Sequence, residues 1–85
     1  MFTRTVTVRS KTGLHLRPAG VFVERAAGFQ SSISVHKGEQ EADGRSVLSL
    51  MLLEVTEGTR LSIRGEGEDE VLAVNTLADL LENPG

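Results

Sequence analysis

The chain has 85 residues and a net charge of −3, and its 39% hydrophobic and 25% charged side chains are ordinary values for a folded globular domain. A chain of this size buries only about 60–65% of the surface that its unfolded form would expose. We therefore expect one domain over residues 1–85, with a thin core and a site on its surface. The chain has no cysteine, which excludes disulfides, zinc–thiolate sites and iron–sulfur clusters.

Neither a membrane span nor a secretory signal is expected. No stretch reaches the roughly 18 consecutive apolar residues that a membrane-spanning helix requires. The first ten residues alternate in polarity and do not form a continuous apolar segment. Together with the lack of cysteine, this predicts a cytoplasmic protein.

Charge is distributed unevenly along the chain. Residues 1–45 carry seven basic and four acidic side chains, a net +3, whereas residues 46–85 carry two basic and eight acidic ones, a net −6. Three phenylalanines are the only aromatic side chains, too few for a surface that stacks nucleic-acid bases. The basic first half favours an anionic ligand or an acidic protein surface, and we expect no nucleic-acid partner.

The first half of the chain predicts a strand and then a helix. From Phe2 to Arg9 apolar side chains alternate with threonines, as in a strand with one buried face, and Ser10 to Gly13 is typical of a loop. Pro18 suits the first turn of a helix because its missing N–H would have no partner there. Gly28 predicts a left-handed cap at the helix end. Apolar residues follow at helical spacing: Ala19, Phe22, Val23 and Ala26.

Three further strands and two further helices are predicted. The predicted strands are Ser32 to His36, Gln40 to Ala42 after a turn at Gly38, and Arg60 to Arg64; Ile33, Val35, Leu61 and Ile63 point inward. Ser46 is a good N-cap for a short helix through Leu53. Asp69 is expected to cap a last helix, whose inward residues would be Val71, Val74, Leu77, Ala78 and Leu81. The order β-α-β-β-α-β-α predicts an α+β fold, an open-faced sandwich whose antiparallel sheet is covered by helices.

The segment from Thr12 to Ala19 is the one that suggests chemistry. It places His15 immediately before a helix, whose first N–H groups and dipole form an anion site. Gly13 permits an unusual backbone, and Arg17 adds a permanent charge with several donors. Neutral imidazole is a nucleophile near neutral pH, so this arrangement suggests that the histidine accepts a phosphoryl group. On spacing alone, a solvated or helix-capping histidine is the better interpretation.

The segment GLHLRPAG, residues 13–20, resembles the active-site motif of the HPr family. These proteins are the histidine-containing phosphocarriers of the bacterial phosphoenolpyruvate:sugar phosphotransferase system. The segments FVERAAGF, GRSVLSLM, EGT and GEGEDE fall where that family has comparable stretches, so the resemblance covers the whole chain. The family fold has four antiparallel strands and three helices, in agreement with the predicted order.

The resemblance implies a role for two residues. His15 would be phosphorylated through Nδ1, and Arg17 would assist the phosphoryl group. Enzyme I, charged by phosphoenolpyruvate, would be the donor, and enzyme IIA domains would be the acceptors in sugar uptake. Such a chain is a stoichiometric carrier and not an enzyme. We expect it to be a monomer with no cofactor, no bound metal and no membrane partner.

The resemblance also implies a docking surface and a regulatory site. Ser46 matches the position that a dedicated kinase phosphorylates in many Gram-positive members, where a transcriptional regulator is a further partner. Leu50 and Leu53 are expected in the core. The residues expected to contact partners are Leu16, Gly20, Val47, Leu48 and Met51.

Two other functions stay open at this point. A regulatory or nitrogen-branch paralogue would use the same fold as a phosphorylation-dependent interaction module. A hydrolase would also use His15, but it needs a second general base and a deeper pocket than this size allows. The second histidine, His36, falls on the outward face of its strand and is expected to be solvated. The acidic run from Glu66 to Glu70 is expected to complement the N-terminus of the last helix.

Overall fold

The computed structural model describes residues 1–11, 13–14 and 16–83 of the chain. The helices and strands in these ranges follow the predicted β-α-β-β-α-β-α order. They are β1 (Phe2–Thr7), α1 (Leu16–Ala27), β2 (Ser32–Lys37), β3 (Gln40–Asp43), α2 (Val47–Leu52), β4 (Arg60–Glu66) and α3 (Glu70–Glu82). The longest of these helices, α3, has 13 residues, and none of those described is long and apolar enough to cross a membrane.

The strands form one antiparallel sheet in the order β1-β4-β2-β3. Val35 of β2 lies opposite Ile63 of β4 on one side and Ala42 of β3 on the other. These three side chains are buried, and the helices cover the same face of the sheet. The other face carries hydroxyl groups, such as those of Thr5 and Ser62, which bond to each other at 3.1 Å. The predicted open-faced sandwich is confirmed.

The core lies between the sheet and the inner faces of α1 and α3. Phe22 is its largest wholly buried side chain, and burial of such a residue contributes about 1.5–3 kcal/mol. The helical residues that are almost completely buried are Ala19, Phe22 and Ala26 of α1 and Ala73, Val74, Leu77, Ala78 and Leu81 of α3. The helical spacing of these residues explains why each helix presents one apolar face to the sheet.

Helices α1 and α2 run antiparallel beside each other. Arg45, just before α2, donates to the carbonyl oxygens of Phe29 and Ser31, just after α1, at 2.8 and 3.2 Å. At the opposite end, the N–H of Leu14 donates to the Val55 carbonyl at 3.1 Å. The start of α1 therefore lies beside the end of α2, and the predicted site falls at this junction.

All four predicted strands end at a different residue in the structure. Strands β2 and β3 each continue one residue further, to Lys37 and Asp43, and the other two differ by two residues. The first strand ends at Thr7, and not at Arg9, because the N–H of Arg9 bonds to the Leu81 carbonyl of α3 at 3.2 Å. The last strand continues to Glu66, beyond the predicted end at Arg64, because Glu66 still pairs with β2. In both cases a partner distant in sequence sets the boundary.

The predicted left-handed cap at Gly28 is wrong, because Gly28 is not among the described glycines with positive φ. Its N–H donates to the Arg25 carbonyl at 3.1 Å, and the N–H of Phe29 donates to the Ala26 carbonyl at 3.2 Å. These bonds span three residues and tighten the last turn. They satisfy terminal carbonyls of α1 without a left-handed residue.

Asp69 directly precedes α3, but the predicted side-chain cap is wrong. Its carboxylate points back to the end of α1, where it accepts bonds from the N–H groups of Gln30 and Ser31, both at 2.9 Å, and from the Ser31 hydroxyl. Ser31 is completely buried, so the bond satisfies a hydroxyl that has left water. Within the acidic run, Glu70 accepts from the N–H of Gly67 at 3.2 Å, before the first turn of α3.

The prediction that Val71 points inward is also wrong. Val71 is 51% exposed, and Leu72 beside it is 64% exposed. The buried face of α3 begins at Ala73 and Val74. Val71 lies in the first turn of α3, before the part of the helix that packs on the core, so helical spacing alone does not bury it.

We expect Asp69→Asn to lower the melting temperature at pH 7. The Ser31 hydroxyl, followed by the N–H groups of Gln30 and Ser31, holds the pKa of Asp69 below its ordinary value. A lowered folded pKa means that the carboxylate stabilises the fold above the unfolded pKa of about 3.9, and that this contribution is lost as the pH falls through the folded value. Thermal melts of both proteins between pH 7 and pH 2 should show a difference in melting temperature that disappears in acid. A difference in melting temperature that stays constant with pH would contradict a stabilising role of the Asp69 carboxylate.

Candidate functional site

The predicted nucleophile, His15, lies outside the residues that the structure describes, as does Thr12 of the same segment. Its sequence neighbours are described. Leu14 is a core residue with 3% exposure, whereas Leu16 is the first residue of α1 and is 66% exposed. The chain therefore passes from the core to the surface between Leu14 and Leu16.

Gly13 lies in close contact with the backbone of residues 55–56. Its φ is +70°, a left-handed conformation, and a Cβ at this position would overlap the Val55 carbonyl and lie 2.8 Å from the Thr56 Cα. Only glycine fits both the conformation and the space. The N–H of the next residue, Leu14, donates to that same Val55 carbonyl at 3.1 Å. The segment that leads into α1 is thus held on the backbone that follows α2.

Arg17 is exposed in the first turn of α1, where the described residues include no acidic side chain. The positive end of the helix dipole and the guanidinium are therefore not neutralised by a carboxylate of that turn. Arg17 also lines a shallow cleft of about 320 Å³, together with Ser10, Gly13, Leu80 and Leu81. Such a position can contact an anion bound at the start of α1.

Exposed apolar side chains lie along α2 and at the adjoining start of α1. Leu48, Met51 and Leu52 are 68%, 38% and 67% exposed, and their spacing places them on one face of α2. Leu16, 66% exposed, lies at the adjoining start of α1. We call these four residues the apolar surface. A cluster of exposed apolar residues on a small domain is typical of a surface that contacts other molecules.

The predicted division of α2 is confirmed for most residues. Leu50 and Leu53 are in the core at 0% and 3% exposure, as expected, and Leu48 and Met51 are exposed. Val47 is an exception. It is partly buried against the core, and the expectation that it is exposed is therefore wrong. Gly20 is half-buried, and a Cβ there would meet no described atom within 4 Å.

Leu52 is an exposed residue that the sequence reading does not assign. It lies four residues after Leu48, so the same helical spacing that groups Leu48 with Met51 also includes it. That spacing is the signal that could have identified it. Val21 of α1, 38% exposed, is a second apolar residue at the surface that was not assigned.

Ser46 has the geometry of a helix N-cap, as predicted. Its backbone is extended, with φ −123° and ψ 113°, and its hydroxyl accepts from the N–H of Ser49 at 3.1 Å. The hydroxyl therefore satisfies one of the free donors at the start of α2.

His36 faces outward from β2, but the expectation that it is solvated is wrong. Its side chain is 18% exposed, its Nε2 lies 2.9 Å from the Ser34 hydroxyl, and its Nδ1 lies 3.8 Å from a Glu41 carboxylate oxygen. Ser34 of the same strand and Glu41 of β3 thus flank the imidazole on an otherwise open sheet face. In the part of the chain that the structure describes, no cluster of His, Asp or Glu is arranged to hold a metal ion.

Comparison with known proteins identifies the family. The family model for the PTS HPr component phosphorylation site matches residues 2–83. Phosphocarrier protein HPr of Haemophilus influenzae is 41% identical over 81 residues, 95% of each chain. The HPr-like protein Crh of Bacillus subtilis is 40% identical over 78 residues, 92% of each chain. The chain belongs to the HPr family of phosphocarrier proteins.

Solved structures agree with this assignment. The crystal structure of HPr-C-His from Thermoanaerobacter tengcongensis matches with a TM-score of 0.91 and 39% identity, over 96% of this chain and 92% of that one. The crystal structure of an HPr dimer from the same organism matches with a TM-score of 0.77 and 38% identity, over 99% and 97% of the two chains. The open-faced sandwich is thus the fold of the family.

We expect Gly13→Ala to destabilise the protein much more than Gly38→Ala. Both glycines have positive φ, +70° and +60°, but a Cβ at Gly38 would meet no described atom within 4 Å. Gly38→Ala should therefore cost about 1 kcal/mol for the left-handed backbone alone. Gly13→Ala should cost about 3 kcal/mol, because the new methyl group also displaces the 55–56 backbone.

Urea unfolding of the two variants and the wild type measures the difference. Equal losses of unfolding free energy would mean that residues 55–56 move aside at no cost, and would contradict the close packing at Gly13.

Proposed function

We propose that this chain is a phosphocarrier of the sugar phosphotransferase system. It accepts a phosphoryl group on His15 from phosphorylated enzyme I and passes it to enzyme IIA domains. The observation that supports this proposal is the match of the phosphorylation-site family model to residues 2–83, a range that includes the GLHLRPAG segment. The described geometry around that segment is consistent with the chemistry.

The proposed transfer is a nucleophilic displacement in each direction. The lone pair of His15 Nδ1 attacks phosphorus, a new P–N bond forms, and the bond from phosphorus to the donor's leaving group breaks. In the second transfer the acceptor's nucleophile attacks, and the P–N bond to His15 breaks. The Arg17 guanidinium and the first N–H groups of α1 balance the charge on the phosphoryl oxygens.

A carrier is favoured over a hydrolase by what the described residues offer. Hydrolysis needs a general base that activates water beside the phosphoryl group. The described part of the first turn of α1 has no carboxylate, and the neighbouring cleft is shallow and mainly apolar. A surface site of this kind exposes a phosphoryl group to a partner protein and gives it no catalytic base for water.

A carrier has to present the same histidine to a donor and then to an acceptor. Both partners therefore need to pack on the surroundings of His15, and we propose that they use the same apolar surface in turn. Leu48, Leu52 and Leu16 are the most exposed side chains of this surface, at 68%, 67% and 66%. Their burial against a partner would contribute to both complexes.

We also propose that the chain carries phosphate as a cytoplasmic monomer, with no cofactor. A dimer has been crystallised for the related Thermoanaerobacter tengcongensis HPr. A monomer leaves the apolar surface of each chain available to partners.

We predict that His15→Ala abolishes phosphoryl acceptance. Its two sequence neighbours, Leu14 and Leu16, remain, so the anchor in the core and the start of α1 are unchanged. The measurement is incorporation of label from phosphoenolpyruvate through enzyme I, with circular dichroism as the control for folding. His36→Ala, which removes the other histidine of the chain, should incorporate label normally. Normal incorporation by His15→Ala would refute the proposed acceptor.

We predict that Leu48→Asp slows transfer at least tenfold, equivalent to about 1.4 kcal/mol, with both enzyme I and an enzyme IIA domain. A charge within the apolar surface would have to lose its water when a partner packs on it. Leu72→Asp is a matched control, because Leu72 is equally exposed, at 64% against 68%, but lies at the start of α3.

Both variants should melt within a few degrees of the wild type, because neither leucine is buried. Equal transfer rates for Leu48→Asp and Leu72→Asp would contradict a docking role for α2.

A second candidate function, regulation through Ser46, is supported by the similarity to Crh. That relative is 40% identical, and one of its structures is described as the Bacillus subtilis catabolite repression HPr. We propose that a kinase phosphorylates Ser46 and that a transcriptional regulator reads the product. A phosphate there would add about 1.5–2 negative charges next to Leu48, at a helix N-terminus that tolerates them. A regulatory or nitrogen-branch paralogue would use this site without sugar uptake.

We predict that Ser46→Asp slows phosphorylation of the chain by enzyme I, with little change in melting temperature. Aspartate still caps α2 but introduces a charge where a partner packs. Ser46→Asn keeps the shape of aspartate without its charge and should have a much smaller effect on the rate. Enzyme I kinetics and thermal melts of the two variants decide the question. Identical rates for Asp and Asn would contradict an electrostatic switch at Ser46.

A further inference from the structure

Lys37, the last residue of β2, makes two hydrogen bonds to the chain beyond α2. Its Nζ donates to the Leu53 carbonyl at 2.7 Å and to the Glu54 carbonyl at 3.2 Å. The side chain is half-buried, so it extends from the sheet to the end of the helix with its stem covered. The motif around His15 does not include this lysine.

Lys37 contacts the turn at a point where the charge of the helix end and the backbone conformation both call for support. The last turn of α2 (Val47–Leu52) has no basic side chain of its own to balance the helix dipole. The backbone then turns through Glu54, which has φ +54° and is the one non-glycine residue with positive φ in the described chain. A left-handed glutamate is strained, and it persists where its surroundings hold it. The ammonium group of Lys37 supplies a charge and two bonds at this point.

This turn leads directly to the backbone that holds the site. Val55 follows Glu54, is 5% exposed, and accepts the N–H of Leu14 at 3.1 Å. Gly13 packs against the same Val55 carbonyl. A shift of the turn would therefore move the two residues that immediately precede His15 in the sequence.

We propose that Lys37 is a positioning residue for phosphoryl transfer: it fixes the 53–55 turn, and this turn fixes Gly13 and Leu14 beside His15. The inference rests on the proposed role of His15 as the acceptor. Lys37 acts through the backbone and has no contact with the phosphoryl group. Its removal should lower the rate of the transfer step, while the apolar surface and hence the affinity for partners are retained.

Lys37→Met tests this, because methionine keeps an apolar stem but has no donor. Arg45→Met is the matched control. Arg45 also carries one charge and donates to two backbone carbonyls, at 2.8 and 3.2 Å, but it does so at the opposite end of the α1–α2 pair. The measurements are kcat and KM for phosphorylation by enzyme I, and amide hydrogen exchange at Leu14 in the isolated protein.

We expect Lys37→Met to lower kcat at least fivefold with KM within twofold of the wild type, and to accelerate exchange of the Leu14 amide. Lys37→Arg, which can donate to the same carbonyls, should restore most of the rate. Arg45→Met should leave kcat and the Leu14 exchange rate unchanged.

Two results would overturn the inference: a wild-type kcat for Lys37→Met, or a fall in kcat that Arg45→Met reproduces. In either case Lys37 would act on stability alone. If the wild-type chain accepts no phosphate from enzyme I, the proposed function fails, and the inference fails with it. The wild-type reaction therefore distinguishes failure of the proposed function from failure of the Lys37 inference alone.

Discussion

The backbone of Gly13 and Leu14 lies directly on the backbone of Val55, and the rest of the site depends on this contact. Gly13 permits the approach because it has no side chain, and the N–H of Leu14 bonds to the Val55 carbonyl at 3.1 Å. Leu14 and Val55 are also both buried in the core. The contact therefore sets where α1 begins relative to where α2 ends. Arg17 and Leu16 at the start of α1, and Met51 and Leu52 at the end of α2, take their places from it.

Helix α2 has to hold a defined position although it is short and its outer face is exposed. It has six residues, well below the length at which an isolated helix is stable, and its outer face is apolar and exposed at Leu48 and Leu52. Exposed leucines contribute little to folding, so the helix depends on its inner residue Leu50 and on bonds at its two ends. Ser46 supplies the bond at the start. The helix can therefore hold its position in the fold while its outer face stays available to partners.

The sequence predicts this structure well where the determining interactions are local. The order of strands and helices, the inward residues other than Val71, and the cap at Ser46 follow from spacing and from neighbours within one turn. Asp69 was misassigned because its partners, Gln30 and Ser31, lie far away in the sequence. Leu52 was missed because α2 is apolar on nearly every side, and periodicity does not tell which side the fold covers. The motif locates the segment of the proposed acceptor, but the support of that segment by Val55 is a tertiary contact that no local pattern predicts.

The central claim concerns one of the two histidines in the chain. His36 is the alternative acceptor, because it is also an imidazole. It lies within hydrogen-bond distance of Ser34, and its side chain is only 18% exposed. The most direct test is to phosphorylate the wild-type chain with enzyme I and phosphoenolpyruvate, and to correlate the phosphorus resonance with the imidazole nitrogens by NMR. We predict one phosphorus signal, coupled to Nδ1 of His15. Coupling to His36, or a signal typical of phosphoserine, would contradict the claim that His15 is the phosphoryl acceptor.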